Sequence, residues 1–423
     1  MRGRLRLALS AVAVAWTCRG FGRGFAALSL RPTPRRGHLY WLLCTRGLEA
    51  EAEDLVRQVL GHDVSFQRLA SSFGGTERIS EGHAAVGQLL MSSPKPLSVG
   101  VEIPGIIQSY AFVAAASGLS DEKAEGLKEL QDFSSGLREA LQTAAQLIVD
   151  AEPTFRASVV RDGEHCFSSE EAMKAIGRGV GSIMPWKANM TCYDLEVLAV
   201  IHRSNVTFGI SCATLGTSRL GATKPARLPR EKRPWHLTDA RHLRFSTARL
   251  MLHFAQLRPG EQMLDLCGGM GTIAMEAAQH WANLRAVSSD VSAKACKLAD
   301  ENLKVAERED LFAAGSEVKI LRRSVAEWID FSLADGSCFD VVISELPFGV
   351  TIRMLDIRIL VQALDAVLKP QGRVALICPK AQTSDLQAAM LKSSSRHWRL
   401  NTLRHGNVGG VSVDIILASA NSW

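Results

Sequence analysis

The chain has 423 residues, of which 47% are hydrophobic and 22% charged, a composition typical of a globular protein with room for two or three domains. No apolar run approaches the roughly 20 residues that a membrane-spanning helix requires, so the sequence predicts no membrane segment. The net charge of the chain is +6, but eight arginines lie in the first 36 residues, where no acidic residue occurs. Residues 37–423 therefore carry a net charge of 6 − 8 = −2. Any affinity for RNA must then come from a local basic patch and not from the overall charge.

The N-terminal segment, residues 1–37, differs in composition from the rest of the chain. It is rich in arginine and contains serine and small apolar residues, as organelle transit peptides do. The short apolar run Leu7–Trp16 leaves a secretory signal peptide open, and a disordered extension is a third interpretation. A transit peptide would direct the chain to a mitochondrion or a plastid.

The cysteines give no sign of a structural site. There are nine, an odd number, and no two have the spacing C-x-x-C. This argues against a disulfide framework and against a zinc or iron–sulfur site, so we predict no metal in the chain.

Residues 38–150 form the first predicted domain. His38–Thr45 is an apolar run that predicts a strand, and Leu48–Leu60 carries apolar residues at helical spacing. Val99–Ile103 is a further candidate strand. Gly118–Gly136 is polar and charged, which predicts a surface helix or an insertion.

Residues 151–215 have a compact α/β pattern. Ser168 and Glu171 have the spacing of a capping box, which predicts a helix that continues to about Val180. The predicted strands of this segment are Phe155–Val160, Leu195–Ile201 and Val206–Ser211.

A basic segment follows. Residues 216–235 are predicted to be a linker, and nine lysines and arginines lie between Gly216 and Arg249 against two acids, Glu231 and Asp239. Charge alone favours a solvated connector, which is what most charge runs are. The alternative is a strip that contacts an RNA backbone between two domains.

Residues 236–423 alternate between strands and helices. The predicted strands are Gln262–Asp265, Ala286–Ser289, Val318–Leu321, Phe339–Ser344, Arg373–Cys378, Leu400–Leu403 and Val411–Ala418. Helices are predicted to begin at Thr272, Ser292 and Ile357. Such alternation predicts an α/β fold, with a parallel sheet covered by helices on both faces. The last two strands form a hairpin, which would complete a mixed seven-stranded sheet with an antiparallel edge.

The run MLDLCGGMGT, from Met263 to Thr272, ends one strand and begins a helix. Its small residues let the backbone approach a ligand closely, and the N-terminus of the helix offers free N–H groups. Asp290 lies 19 residues after Gly271, at the end of the next strand, where a carboxylate can accept both hydroxyls of a ribose.

This glycine loop alone is ambiguous, because Gly269-x-Gly271-x-x-Ala274 also fits the dinucleotide fingerprint. Asp265 favours a methyl donor, since a methyltransferase places an acid near the charged amino-acid part of its cofactor and a pyrophosphate site has no use for one. We therefore predict S-adenosylmethionine as the cofactor. Its candidate binding residues are Asp265, Cys267, Gly269, Gly271, Thr272 and Asp290.

The run FDVVISELPFG, residues 339–349, is the sharpest feature of the sequence. A buried strand ends at the ligand-binding edge of the sheet and is followed by Glu345, by Pro347, which stiffens the backbone, and by the ring of Phe348. These three are the candidate catalytic residues. An oxygen of Glu345 and the backbone oxygen of Leu346 would accept the two N–H bonds of a ring-conjugated amine. Phe348 would stack on a flipped or unpaired base. Alignment of the amine with the methyl group would supply most of the barrier reduction.

On these residues the sequence resembles the THUMP-domain RNA guanine methyltransferases. The resemblance rests on the paired runs 265–272 and 344–349, on residues 154–212, and on His242–Ala248 before the glycine loop. It implies a ferredoxin-like part at 38–150, a THUMP-like RNA-binding module at 151–215 and a Rossmann-like class I methyltransferase domain at 236–423. The implied reaction is methylation of the exocyclic 2-amino group of a guanosine in tRNA or in spliceosomal small nuclear RNA.

The resemblance also implies binding residues and partners. It adds Ser246 and Ser324 to the cofactor-binding candidates. The candidate RNA-binding residues are Arg156, Arg161, Lys187, Arg230, Lys232 and Arg233. Family members bind a structured RNA end, and in eukaryotes a small zinc-ribbon activator subunit binds the edge of the methyltransferase sheet. They act in the cytoplasm or the nucleus, in contrast to the transit-peptide prediction.

Three departures from the family pattern leave a second hypothesis open. Glu345 stands where the family has Asp or Asn, Cys267 where methyltransferases commonly have Gly, and Arg323-Ser324-Val325 where many carry an acid for the adenine amino group. The alternative is an RNA-binding protein with a degenerate, catalytically weak methyltransferase scaffold. An N-methyltransferase for adenine or a protein amide does not account for residues 154–212, and a nicotinamide-dependent enzyme is a more distant alternative.

Overall fold

The computed structural model describes residues 26–27, 37–68, 86–97, 103–148, 152–212, 233–235, 242–330, 339–349, 354–409 and 411–421. The predicted strand Val99–Ile103 falls almost entirely outside these ranges, as do most of the N-terminal segment and the basic linker. Within the described ranges, no helix combines the length and the hydropathy needed to cross a membrane.

The first half of the chain builds what we call the N-terminal sheet. Its strands in the described residues are β1 Ala26–Ala27, β2 His38–Cys44, β3 Ser65–Arg68, β4 Gly87–Ser93, β5 Ile106–Ser117, β6 Thr154–Asp162, β7 Lys187–Ala188, β8 Leu195–His202 and β9 Asn205–Cys212. They are ordered β3-β4-β2-β5-β9-β8-β6-β7, and β1 pairs with β5. Because β5 pairs with β9, strands from the predicted segments 38–150 and 151–215 share one continuous sheet.

Helices pack on this sheet and on each other. They are α1 Glu49–Leu60, α2 Lys123–Ser135, α3 Arg138–Gln146 and α4 Ser169–Ile183. The predicted capping box is present, with the Ser168 side chain accepting from the Glu171 amide and the Glu171 side chain accepting from the Ser168 amide. α2 lies within the segment predicted as a surface helix or insertion, but one side of it is core, because Leu130 and Phe133 are buried.

The second half of the chain builds the C-terminal sheet. Its described strands are β10 Gln262–Asp265, β11 Arg285–Asp290, β12 Glu317–Arg322, β13 Phe339–Glu345, β14 Leu368–Pro379, β15 His397–Val408 and β16 Val411–Asn421. Its helices are α5 Phe245–Phe254, α6 Thr272–His280, α7 Ala293–Arg308, α8 Ile357–Val367 and α9 Thr383–Leu391. The strand order is β12-β11-β10-β13-β14-β16-β15. The first five strands of this order are mutually parallel and β16 pairs antiparallel with both neighbours, as the sequence predicts.

Both faces of the C-terminal sheet are buried, which explains the continuous apolar strands in its sequence. Met263, Val341 and Ile343 belong to an apolar cluster on one face, together with residues of α5 and α6. Leu264 and Val342 belong to a second cluster on the other face, with residues of α8 and α9. Polar side chains are therefore concentrated where the strands end.

The N-terminal region is packed against the C-terminal domain. The hydroxyl oxygens of Thr45 and of Thr247 in α5 are 2.7 Å apart. Arg404 in β15 donates to Glu51 in α1 at 2.8 Å. Leu55 of α1 lies in the same apolar cluster as the α5 residues. The two halves therefore share a core.

The structure corrects part of the predicted linker. The basic run that reaches Arg249 enters α5 at Phe245, and the first four residues of that helix are buried. Arg249 stacks on Trp281, with its guanidinium carbon 4.5 Å from the ring centroid. This end of the charge run is a core helix rather than a solvated connector.

Candidate functional site

The candidate functional residues converge because parallel strands end together. β10 pairs with β11 on one side and with β13 on the other, so the segments after these three strands meet at one edge of the sheet. We call this the carboxyl edge. It brings together the glycine loop, Asp290 and Glu345.

The glycine loop has the backbone geometry that its residues permit. Gly269 has φ of 53° and Gly271 has φ of 82°, a region that glycine adopts without strain. The Gly268 N–H donates to the Ser289 carbonyl at 2.8 Å, and Asn302 of α7 donates to the Met270 carbonyl at 3.2 Å. A Cβ added at Gly269 would meet nothing within 4 Å, so the loop leaves open space for a ligand.

Asp265 is the buried acid of the site, with 1% of its surface exposed. Its carboxylate accepts from the Ser344 hydroxyl at 2.7 Å and from the Cys267 N–H at 3.3 Å. Burial raises the pKa of Asp265 to about 7, although the hydrogen bonds from Ser344 and Cys267 oppose this shift. A buried carboxylate with so few donors is suited to a cationic ligand group.

Glu345 is the last residue of β13 and is half-buried. Burial raises the pKa of Glu345 to about 7, and the neighbouring Asp265 carboxylate adds to the shift. The carboxyl group therefore changes between its neutral and ionised forms near neutral pH, as expected of a group that handles a proton.

The residues after Glu345 are fixed in place. The Leu346 N–H donates to the Ile377 carbonyl of β14 at 2.9 Å, and the Leu346 side chain is buried. Pro347 and Phe348 are half-buried, and Phe348 packs against the apolar cluster shared by the two halves. These contacts set the direction in which the segment leaves the strand.

Asp290 already has backbone partners. Its carboxylate accepts from the Gly269 N–H at 3.0 Å and from the Ser292 N–H at 2.8 Å. Each carboxylate oxygen can accept more than one hydrogen bond, so both remain able to receive ribose hydroxyls. The acid thereby links the glycine loop to the start of α7.

Ser324 lies after β12 and takes part in a local hydrogen-bond pair. Both its N–H and its hydroxyl donate to Glu327 at 2.7 Å. These hydrogen bonds lower the pKa of Glu327. Glu327 thus lies three residues after Ser324, in the region where many methyltransferases carry an acid for the adenine amino group.

Cys267 and Ser246 are both sheltered. Cys267 packs its side chain against the apolar cluster that contains Leu266, and burial raises the pKa of its thiol well above the ordinary range. Its N–H also donates to the Ser344 hydroxyl at 3.1 Å. Ser246 is buried in the first turn of α5, and Thr272 is the buried first residue of α6.

Three of the predicted RNA-binding arginines are engaged within the protein. Arg233 pairs with the fully buried Glu276 of α6 at 2.5 Å, and only 12% of its own side chain is exposed. Arg156 is buried on β6, with its guanidinium over the ring of Tyr193. Arg161 donates to the Ser169 hydroxyl at 2.9 Å and to the Phe167 carbonyl. We therefore reassign all three from RNA contacts to structural roles.

The remaining RNA-binding candidates differ in position. Lys187 is exposed on β7, at one end of the strand order of the N-terminal sheet. Its ammonium group is therefore accessible to a phosphate. Arg230 and Lys232 lie outside the described residues.

Two polar residues of the site, Ser344 and Glu327, were not predicted from the sequence. Ser344 links Asp265 to the loop backbone, and a polar residue inside the apolar run VVIS was the available signal. Glu327 was signalled by the spacing Ser324-x-x-Glu327, which is that of a capping box. In both cases the signal was visible in the sequence, but the residues to which the side chains would bond were not.

Residues 230–414 match the family model for UPF0020, the RMKL-like methyltransferase domain. A tRNA (guanine(6)-N(2))-methyltransferase, THUMP3 of Bos taurus, is 29% identical over 201 residues, which are 46% of this chain and 36% of that protein. A U6 snRNA (guanine-N(2))-methyltransferase, THUMPD2 of Homo sapiens, is 27% identical over 258 residues, which are 60% of this chain and 44% of that protein. The chain thus spans less than half the length of these relatives.

Solved structures share the fold. TrmN from Thermus thermophilus aligns over 90% of this chain and 100% of its own, with 19% identity and a TM-score of 0.55. SMU.472 in complex with SAH aligns over 90% of this chain and 98% of its own, with 11% identity and a TM-score of 0.57. The likeness supports the class I methyltransferase fold that the sequence predicts.

Proposed function

We infer that this chain, whose residues 230–414 match the model of the UPF0020 family, the RMKL-like methyltransferase domain, transfers a methyl group from S-adenosylmethionine to the 2-amino group of a guanosine in a structured RNA. The observation that supports this most is the connection between two carboxyl groups at the carboxyl edge. Ser344 donates to Asp265, which faces the glycine loop, and the next residue is Glu345. This supports a site in which Asp265 would face the cofactor and the neighbouring Glu345 would accept a proton.

The residues present fit the cofactor. Asp265 would face its cationic amino-acid part, Asp290 its ribose hydroxyls, and the open space at Gly269 its backbone contacts. Cys267 does not oppose this, because its side chain packs against the apolar cluster and its N–H donates to Asp265 and Ser344. This packing weakens the alternative of a degenerate scaffold.

The bound cofactor would supply an electrophilic methyl group on a sulfonium. Glu345, in its ionised form, would accept an N–H of the guanine amine and hold the nitrogen lone pair toward that methyl group. As the nitrogen–carbon bond forms and the sulfur–carbon bond breaks, the amine proton would pass to the Glu345 carboxylate or to water. Phe348 would stack on the base, and the fixed end of β13 would align the amine with the methyl group.

The assignment of the target to RNA is also a proposal. It rests on the guanine-N2 activity stated in the names of the two relatives, one acting on tRNA and one on U6 snRNA. The N-terminal sheet, which we propose to be the RNA-binding region, supports it by being joined rigidly to the domain that holds the site.

The test is transfer of labelled methyl groups from S-adenosylmethionine into total small RNA by the purified protein, followed by mass spectrometry of the nucleosides. We expect N2-methylguanosine. Label found only in adenosine or in protein would overturn the proposed substrate. Failure to bind S-adenosylhomocysteine in calorimetry would favour the degenerate scaffold.

Two further proposals concern partner and location. We propose a small zinc-ribbon activator subunit at an edge of the C-terminal sheet, to be tested by co-expression and co-purification with measurement of methyl transfer.

For location, residues 1–37 predict an organelle, whereas tRNA and snRNA substrates fit the cytoplasm or the nucleus. A fluorescent protein fused to the first 40 or so residues would distinguish the two.

A further inference from the structure

The β15–β16 hairpin forms a side wall of the carboxyl edge. Glu345 pairs in register with Ile377, and the next residue of β14, Cys378, pairs with Asp414 of β16. Asp414 in turn pairs with His405 of β15. With strands about 4.8 Å apart, His405 lies about 14 Å across the sheet from β13, at the level where Glu345 ends its strand.

His405 and Asp414 form a pair with one exposed and one buried member. The His405 Nδ1 lies 2.5 Å from the Asp414 carboxylate, and the side chains are 68% and 3% exposed. A buried carboxylate that holds one ring nitrogen fixes the orientation of the imidazole. The other nitrogen, Nε2, is thereby directed toward solvent as a preorganised polar group.

This pair lies where the N-terminal region meets the carboxyl edge. A Cβ added at Gly47 would be 2.7 Å from the His405 carbonyl, and one added at Gly406 would be 2.6 Å from the Arg46 carbonyl. On the same strand, Arg404 is paired with Glu51 of α1. The junction thus offers an RNA a direct path between the N-terminal region and Glu345.

We propose that His405, as an imidazolium that donates from Nδ1 to Asp414, also donates from Nε2 to a backbone phosphate of the substrate RNA between the N-terminal region and the guanosine site. This inference rests on the proposed function, because it assumes an RNA substrate. A phosphate contact contributes affinity that does not depend on sequence and falls as salt rises. Asp414 is a positioning residue, since it acts only through His405.

Substitutions at His405 can test the roles of the two ring nitrogens separately. In His405→Asn the amide nitrogen can replace Nδ1 and keep the bond to Asp414, but the outward donor is lost. His405→Gln keeps an outward amide and loses the bond to Asp414. His397→Asn is a matched control, because His397 is an exposed histidine at the opposite end of β15.

The full-length variants would be titrated with unfractionated tRNA in a filter-binding assay from about 50 to about 200 mM salt. For His405→Asn we expect binding weaker by about five- to tenfold at the lower salt, with a salt slope reduced by about 1. His405→Gln should lose less, and His397→Asn should match the wild type. Wild-type affinity and slope in His405→Asn, or an equal loss in His397→Asn, would overturn the inference.

Cofactor binding separates this inference from the proposed function. S-adenosylhomocysteine affinity should be the same in all variants, which also reports that they are folded. If the wild type binds tRNA in a His405-dependent way but transfers no methyl group to guanosine in total small RNA, the proposed function fails and the contact stands. If it methylates RNA and His405→Asn binds normally, the contact fails and the function stands.

Discussion

Glu345 and Asp265 define the chemistry of the site at the scale of single residues. Asp265 is buried and Glu345 is half-buried, and the pKa of each is raised to about 7. The shared cause is burial, which disfavours two negative charges at one edge of the sheet. A cationic cofactor would lower the free-energy cost of ionising these carboxyl groups, so the site favours the binding of a positively charged group.

Replacement of Glu345 by Gln should abolish most of the activity without loss of cofactor. The amide cannot take up the amine proton, and removal of a general base typically lowers rates by roughly 10²–10⁴. We expect a fall of that size in single-turnover methyl transfer, with S-adenosylhomocysteine affinity within about threefold of the wild type. Full activity in this variant would contradict the role assigned to Glu345.

The pH dependence follows from the direction of the shift. The raised pKa of Glu345 means that the ionised, proton-accepting form is gained as pH rises through about 7. Because the pKa of Asp265 is also raised to about 7, we expect kcat/KM for S-adenosylmethionine to increase by about one to two powers of ten per pH unit below that value and to level off above it. The rise should be less steep in Glu345→Gln, in which only Asp265 titrates, and a wild-type profile flat from pH 5 to pH 8 or so would contradict the assignment.

At the level of residues, the sequence motifs predicted which side chains lie close together, while their roles stay predictions. Asp265 and Glu345 were predicted because each follows an apolar strand directly, and the sheet brings the two strand ends together. Arg233 was assigned wrongly because its partner Glu276 is 43 residues away in a helix. Charge in a sequence shows neither burial nor pairing between distant segments.

At the scale of elements, the glycine loop depends on its close approach to β11. A Cβ at Gly268 would lie 2.0 Å from the hydroxyl of Ser288, which is buried in that strand. Gly268→Ala should therefore displace the loop and weaken S-adenosylhomocysteine binding by at least about tenfold, since overpacking costs roughly 1–3 kcal/mol.

The control for this variant is Gly181→Ala in α4. Nothing lies within 4 Å of a Cβ at Gly181, and alanine favours a helix by up to about 1 kcal/mol. That variant should bind the cofactor normally and unfold at the same or higher denaturant concentration. Equal affinity in the Gly268 and Gly181 variants would show that the loop does not need its contact with β11.

The elements themselves were predictable to different degrees. β10 and β13 were found because each is an apolar run that is largely buried, whereas β11 and β12 were found from shorter apolar stretches within the alternating pattern. β5 was missed because its sequence, IIQSYAFVAAAS, has no regular alternation, and its pairing with β9 shifts register between Phe112 and Ala114. α5 was missed because its basic neighbours suggested a linker.

At the scale of the whole molecule, the two halves meet through backbone contacts that a side chain would prevent. Gly47, with φ of 92°, lies against the backbone of His405 and Gly406. This join fixes the distance between the N-terminal sheet and the carboxyl edge. No sequence pattern reveals it, because the contact involves residues more than 350 positions apart.

Gly47→Ala tests the join against a control with the same backbone conformation. Gly61 also has φ of 92°, but nothing lies within 4 Å of its Cβ position, so Gly61→Ala measures the conformational strain alone. We expect Gly47→Ala to lower the free energy of unfolding by about 1–3 kcal/mol more than Gly61→Ala. Equal values in chemical denaturation would mean that the halves are not held together at this point.

The central claim, a guanosine N2-methyltransferase acting on structured RNA, is tested most directly in cells that lack the protein. The measurement is mass spectrometry of nucleosides from separately purified tRNA and small nuclear RNA, compared with cells complemented by the wild type or by Glu345→Gln. We expect loss of N2-methylguanosine from one RNA fraction, restored by the wild type and not by the variant. Unchanged N2-methylguanosine in both fractions, with loss of a different methylated nucleoside, would contradict it.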